Sequence, residues 1–110
     1  MEKEILQVQM LGGFSLVYQG KTLVFDRNYT SKSTQLLQIL FLHLENGIPK
    51  EQLLDELYGR DDVENRNGSL NNTIFRLRRQ LEAAGLPKGK YFSLKDGIYR
   101  WDPVISVETD

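Results

Sequence analysis

Ser69-Leu-Asn-Asn-Thr-Ile-Phe-Arg-Leu-Arg-Arg-Gln-Leu81 is the stretch on which the reading of this chain turns. Leu70, Ile74, Leu77 and Leu81 recur at intervals of three and four, which an α-helix gathers onto one stripe. At about 100° per residue, Asn72, Phe75, Arg76 and Arg79 fall on the far side, and Asn71 and Arg78 on the flank nearest Leu70 and Leu77. The spacing predicts a helix buried along one side and carrying arginine and amide groups on the other. Those groups have a specific use: the Arg fork matches guanine edges or phosphates, and Asn matches the edge of adenine. A helix of this kind can enter a DNA major groove.

The charge distribution supports that use. The formal net charge is −1, which by itself argues against a polyanionic partner. From Met1 to Asn65, however, 6 Lys+Arg stand against 10 Asp+Glu, whereas from Arg66 to Arg100 there are 8 basic residues and 2 acidic ones. The basic half contains the helix, and sign asymmetry within one domain is the electrostatic footprint of a DNA-facing side. The alternative is a solvated helix face with chance clustering of charge.

Working outward, 110 residues suffice for one core and fall short of two, so a single domain over 1–110 is expected. An apolar share of 40% and a charged share of 26% place the chain among ordinary soluble globular domains. With no cysteine, there is neither a disulfide framework nor a thiolate metal site, which suits a reducing cytoplasm. No apolar run reaches the ~18 residues of a membrane span. Met1-Glu-Lys-Glu4 lacks the basic segment and apolar core of a signal peptide. A cytoplasmic location is expected.

Ile5, Val8 and Met10 fit a strand, Gly12-Gly13 breaks it, and Phe14 to Tyr18 and Thr22 to Phe25 fit two more joined by a Gly-containing turn. Asp26 to Thr30 is polar. Ser31 or Ser33 can cap the next helix, which carries Leu36, Leu37, Ile39, Leu40, Phe41, Leu42 and Leu44 and is apolar nearly all round, as a central helix would be. Asn46-Gly47 is a helix stop and Pro49 lies just inside the next start. Lys50 to Tyr58 forms a second helix with Leu53, Leu54, Leu57 and Tyr58 inward, and Gly59 to Gly68 a polar loop. The third helix runs from about Ser69 to Ala84 and is ended by Gly85 and Pro87. Tyr91 to Leu94, the Lys95-Asp-Gly97 turn and Ile98 to Trp101 form a hairpin. Pro103 ends it, and 103–110 reads as a linker to an absent domain beyond a core of about 5–102. The expected fold is α+β: a three-stranded antiparallel sheet, three helices and a C-terminal hairpin wing. This is the layout of a winged helix-turn-helix, in which the third helix enters the major groove.

Several motifs in order resemble the winged-helix domains of OmpR/PhoB-type response regulators: Leu70 with Ile74-Phe-Arg76 and Arg79 with Leu81, Glu51-Gln-Leu-Leu54 with Leu57-Tyr58, and Gly97-Ile-Tyr-Arg100. Leu11-Gly-Gly-Phe14, Leu36-Leu37 with Leu40, and Arg66-Asn67 with Ser69-Leu70 are closer to one branch, the Streptomyces antibiotic regulatory protein (SARP) group of bacterial transcriptional activators. The likeness runs from about Val8 to Trp101. It implies sequence-specific binding to double-stranded promoter DNA, pairing of two protomers on direct repeats, contact with RNA polymerase through the loop 59–68, and a helical activation domain following this one. The chain departs from the pattern at Gly68, which looks like an extra residue, at Asn71, where Arg is frequent, at Phe75, where a small or basic residue is frequent, at Ile98 for a wing glycine and at Pro49 for a Ser cap.

The candidate DNA-binding residues are Asn71, Asn72, Phe75, Arg76 and Arg79 on the helix, Lys95 and Arg100 on the wing, and Lys32, Lys50 and Arg66 as phosphate contacts. Each has a plainer reading as a solvated or sheet-side group. Arg78 lies on the flank, where an acid at the core rim competes for it. Phe75 fits either a thymine methyl or a protein-interaction patch. Tyr99 and Trp101 belong to the rim and core of the hairpin. His43, the one histidine, has no metal-ligating partner in sequence and reads as structural; Asp61-Asp62 with Glu64 reads as solvated. No nucleophile–base pair, metal spacing or phosphate-cradling glycine loop is present, so neither an enzyme nor a cofactor is expected. The competing function is a winged helix that binds protein through the acidic loop and Phe75.

Overall fold

The computed structural model describes residues 5–10, 14–23, 31–59, 65–102 and 105–109. The expectations for Gly12-Gly13, for Val24 and Phe25, for the 26–30 segment and for the acids Asp61, Asp62 and Glu64 lie outside the described residues.

Period-two burial builds the first sheet. In β1 (Ile5–Gln9) and β2 (Ser15–Tyr18), Leu6, Val8, Leu16 and Tyr18 turn inward, while Gln7 and Gln9 stay out. The register pairs Leu6 with Tyr18 and Val8 with Leu16, so the apolar residues meet on one face. Gln19 (φ 53°) and Gly20 (φ 77°) turn the chain into β3 (Lys21–Thr22), both in the left-handed region that a tight two-residue hairpin requires.

Ser31 caps α1 (Lys32–Leu42): its hydroxyl accepts from the Thr34 N–H at 3.3 Å. Leu36, Leu37, Leu40 and Phe41 are buried, and the helix touches both other helices and the wing. It is less enclosed than its composition suggests. It stops at Leu42, which is 69% exposed, and Leu44 packs against the core from the turn that follows. Gly47 (φ 72°) then leads into β4 (Ile48–Pro49). Pro49 stands one position before α2 (Lys50–Tyr58) rather than inside it, and Leu53, Leu54 and Leu57 face the core.

The third helix, α3 (Arg66–Ala83), begins three residues ahead of the predicted Ser69. The Ser69 N–H already bonds the Asn65 carbonyl at 2.9 Å. Asn67 and Gly68 are weak helix formers and read as loop; the burial of Arg66 against α2 holds them in the first turn. Residues 66–68 therefore belong to the helix and not to the expected 59–68 loop.

β5 (Phe92–Lys95) and β6 (Ile98–Trp101) form the wing hairpin around Asp96 (φ 54°) and Gly97 (φ 77°). β4 pairs with β6, so the wing sheet has three strands in the order β4-β6-β5. The reading of 103–110 as linker is corrected at 105–109. Ile105 is buried, and its carbonyl accepts from the Trp101 indole N–H at 3.0 Å. The chain then runs as β7 (Ser106–Thr109) parallel to β1. The first sheet thus has four strands in the order β3-β2-β1-β7 instead of three. Phe41 joins the two halves: its ring lies 6.4 Å from that of Phe14 and 5.1 Å from that of Trp101.

Two glycines are expected to respond oppositely to alanine. At Gly47 a Cβ would lie 2.6 Å from the Tyr99 carbonyl oxygen and 2.6 Å from Arg100 Cγ, on a left-handed backbone. Gly47→Ala is expected to cost at least about 2 kcal/mol in urea unfolding. Gly68 is helical with open space around it, so Gly68→Ala is expected to stabilise by about 0.5 kcal/mol.

Candidate nucleic-acid interface

Leu70, Ile74, Leu77 and Leu81 are buried, and this settles which face of α3 looks outward. Asn71, Asn72, Arg76 and Arg79 are exposed, and Phe75 is 63% exposed. Asn72, Phe75, Arg76 and Arg79 share one shallow concavity with Gln80 and Ala83. Among the described residues neither Arg76 nor Arg79 forms an ion pair. The Arg79 guanidinium instead lies over the Phe75 ring, 5.7 Å from its centroid. The i, i+4 spacing allows that contact in sequence; only the shared outward direction of the two side chains makes it.

Arg78 does something else. Its Nε donates to the Lys90 carbonyl and its Nη2 to the Phe92 carbonyl, both at 3.0 Å, with the guanidinium 5.0 Å from the Phe92 ring centroid. The expected partner was an acid; the actual partners are the Phe92 carbonyl at the start of β5 and the Lys90 carbonyl just before it, which also accepts from the Phe92 N–H at 2.7 Å. Arg78 therefore sets the position of the wing relative to α3. Lys95 ends β5 beside the wing turn and Arg100 lies on β6; both are exposed. Lys50 is half-buried, and its backbone N–H bonds the Gly97 carbonyl at 2.9 Å, tying the start of α2 to the wing turn.

Two of the expected phosphate contacts are otherwise engaged. Arg66 is 9% exposed. Its Nη1 donates to Asp55 Oδ1 at 2.6 Å and to the Gly59 carbonyl at 2.8 Å, and Glu51 lies 3.8 Å from Nη2. A buried guanidinium held by a carboxylate and a carbonyl is a clamp between α2 and α3, not a phosphate ligand. Arg66 is corrected accordingly, since sequence shows its charge but not its burial. Lys32 donates to the Leu57 carbonyl and lies 5.4 Å from the Tyr58 ring centroid, so it closes the C-terminal end of α2. Tyr58, expected only as an inward residue of α2, also links it to α3: its hydroxyl donates to Thr73 Oγ1 at 2.6 Å while Thr73 donates to the Ser69 carbonyl. His43 caps the end of α1, its N–H bonding the Leu40 carbonyl at 3.2 Å.

A helix pair whose second member exposes Asn and Arg beside a β-hairpin defines the winged helix-turn-helix class. The family model "Transcriptional regulatory protein, C terminal" matches residues 26–97, and the chain belongs to this family of OmpR/PhoB-type DNA-binding domains of transcriptional regulators. No curated protein sequence matches the chain. Among solved structures it is similar to Mycobacterium tuberculosis EmbR, solved in complex with a low affinity phosphopeptide. There the TM-score is 0.67 and the identity 17%, over 90% of this chain and 25% of that one. It is also similar to the C-terminal domain of the nisin resistance regulator NsrR, a lantibiotic response regulator, with a TM-score of 0.54 and 24% identity over 92% of each chain. At these identities the likeness is one of fold. This chain spans a quarter of the length of EmbR. Among the described residues no helix is long and apolar enough to cross a membrane.

Two measurements separate clamp from interface. Arg66→Ala is expected to lower stability by roughly 2 kcal/mol in denaturant unfolding, because it empties a buried charge-assisted site. Arg76→Ala and Arg79→Ala are expected to stay within about 0.5 kcal/mol of the parent. A second expectation concerns alkali. Burial, with the Glu82 carboxylate adding to it, raises the Tyr91 phenol above 10.0; burial also raises Tyr99, partly offset by Arg78. The folded chain thus holds these protons more tightly than the unfolded chain. Their contribution to stability is complete below pH about 10 and is lost as pH rises past it. The urea midpoint is expected to fall over that range, and Tyr91→Phe to flatten the fall.

Proposed function

We propose that this chain is the sequence-specific DNA-binding domain of a bacterial transcriptional regulator, with α3 in the major groove and the β5–β6 wing at the minor groove or backbone. The observation that carries the reading is the exposed set Asn72, Phe75, Arg76 and Arg79, opposite the buried stripe and bearing two guanidinium groups without acidic partners among the described residues. Arg76 and Arg79 reach guanine edges or phosphates, Asn72 reads adenine, and Asn71 works at the edge of the contact. Lys95 and Arg100 supply backbone contacts from the wing, and Lys50 one beside the N-terminus of α2. Arg66 and Lys32 take no part.

The motifs shared with the SARP group support a cytoplasmic activator that binds direct repeats as two protomers and meets RNA polymerase near residues 59–68. The competing reading, a protein-interaction module, is favoured by the net charge of −1 and by the exposed Leu42, Phe75 and Leu94.

Selection of bound duplexes from a random pool, followed by titration at several salt concentrations, tests the proposal. With about four phosphate contacts, the plot of log K against log salt is expected to have a slope of about −3.6. Arg76→Ala and Arg79→Ala are each expected to weaken binding on the order of tenfold or more, with the fold kept. A flat salt response, or no binding to any duplex at low salt, leaves the protein-interaction reading standing instead.

A further inference from the structure

Phe75 is unusual for a helix face of this kind. A single exposed apolar side chain is ordinary on a protein surface, but this ring is not placed at random. It stands inside the concavity lined by Asn72, Arg76, Arg79 and Gln80, and it carries the Arg79 guanidinium 5.7 Å from its centroid. A ligand that fits must be anionic around the patch and apolar at one point within it. The major groove of duplex DNA meets both conditions, because the thymine C5-methyl is the apolar group displayed among its donors and acceptors. The stacked guanidinium is also restrained before binding, so less side-chain freedom is lost when its fork meets guanine O6 and N7. The helix rises about 6 Å from residue 75 to residue 79. Neighbouring base pairs are stacked about 3.4 Å apart, within the reach of two side chains so spaced.

We infer that Phe75 and Arg79 form one reading unit for a thymine next to a guanine, the ring of Phe75 packing on the thymine methyl and the guanidinium it restrains bonding the adjacent guanine. The inference rests on the proposed docking of α3 in the major groove.

The test uses a duplex selected by the chain itself. Each thymine is replaced in turn by deoxyuridine, which removes only the methyl, and each guanine by 7-deazaguanine, which removes the N7 acceptor. At one thymine the uracil duplex is expected to bind about fourfold more weakly, the fold-change of one buried methyl-sized group. At the guanine beside it the 7-deaza duplex is expected to bind on the order of tenfold more weakly. Phe75→Ala is expected to erase the thymine–uracil difference and to shrink the guanine effect although Arg79 is intact. An unchanged melting temperature checks that the exposed position leaves the fold alone. If the parent chain binds duplex but tolerates uracil at every thymine, or if the uracil effect persists in Phe75→Ala, the reading unit is overturned while the DNA-binding reading survives. Absence of binding to all duplexes at low salt overturns both.

Discussion

Burial of Leu70, Ile74, Leu77 and Leu81 against the rest of the core is the constraint on which the other features hang. Each leucine or isoleucine taken out of water contributes about 1.5–3 kcal/mol, so rotating α3 by even one residue would forfeit a large part of the stability of a small domain. That lock fixes the opposite face as well. Asn72, Phe75, Arg76 and Arg79 are outward because the stripe is inward. α1 supplies the wall: it touches α2, α3 and the wing strand β6, and its Phe41 ring bridges Phe14 of the first sheet region and Trp101 of the wing.

Around that lock, three cations act as fasteners. Arg66 joins α3 to α2 through Asp55 and the Gly59 carbonyl, Arg78 joins α3 to the start of β5, and Lys32 joins α1 to the end of α2. Each uses a charge to bond carbonyls near the ends of helices and strands, and Arg66 adds the Asp55 carboxylate. The basic excess between Arg66 and Arg100 is therefore divided. Part of it holds the domain together, and part, Arg76 and Arg79 with Lys95 and Arg100, is exposed and forms no ion pair among the described residues. Net charge along a segment cannot distinguish the two uses; burial and partners can.

Most of the architecture was legible in the chain. The stripe at Leu70, Ile74, Leu77 and Leu81, the serine ahead of α1 and the Asp96-Gly97 turn each act within a few residues, where propensity and periodicity speak directly; the expected stop at Asn46-Gly47 lies beyond the actual end of α1 at Leu42. What escaped was set by distant partners. β7 forms because Ile105 and the Trp101 indole turn the chain back onto a free edge of β1, and the alternation in Ser106–Thr109 is too short to announce a strand. Ile48–Pro49 is a strand because β6 lies beside it. The early start of α3 has the same origin, since Asn67 and Gly68 are helical in company with a buried Arg66 and would read as loop without it.

The sequence alone determined the class of the molecule and the composition of its outward helix face, because both follow from local periodicity and residue chemistry. Only the tertiary structure decided which arginines remain available, that Arg79 rests on Phe75, and that residues 105–109 complete the first sheet. Those outcomes depend on contacts between segments far apart in the chain. Their geometry exists only once the apolar stripe of α3 has been buried.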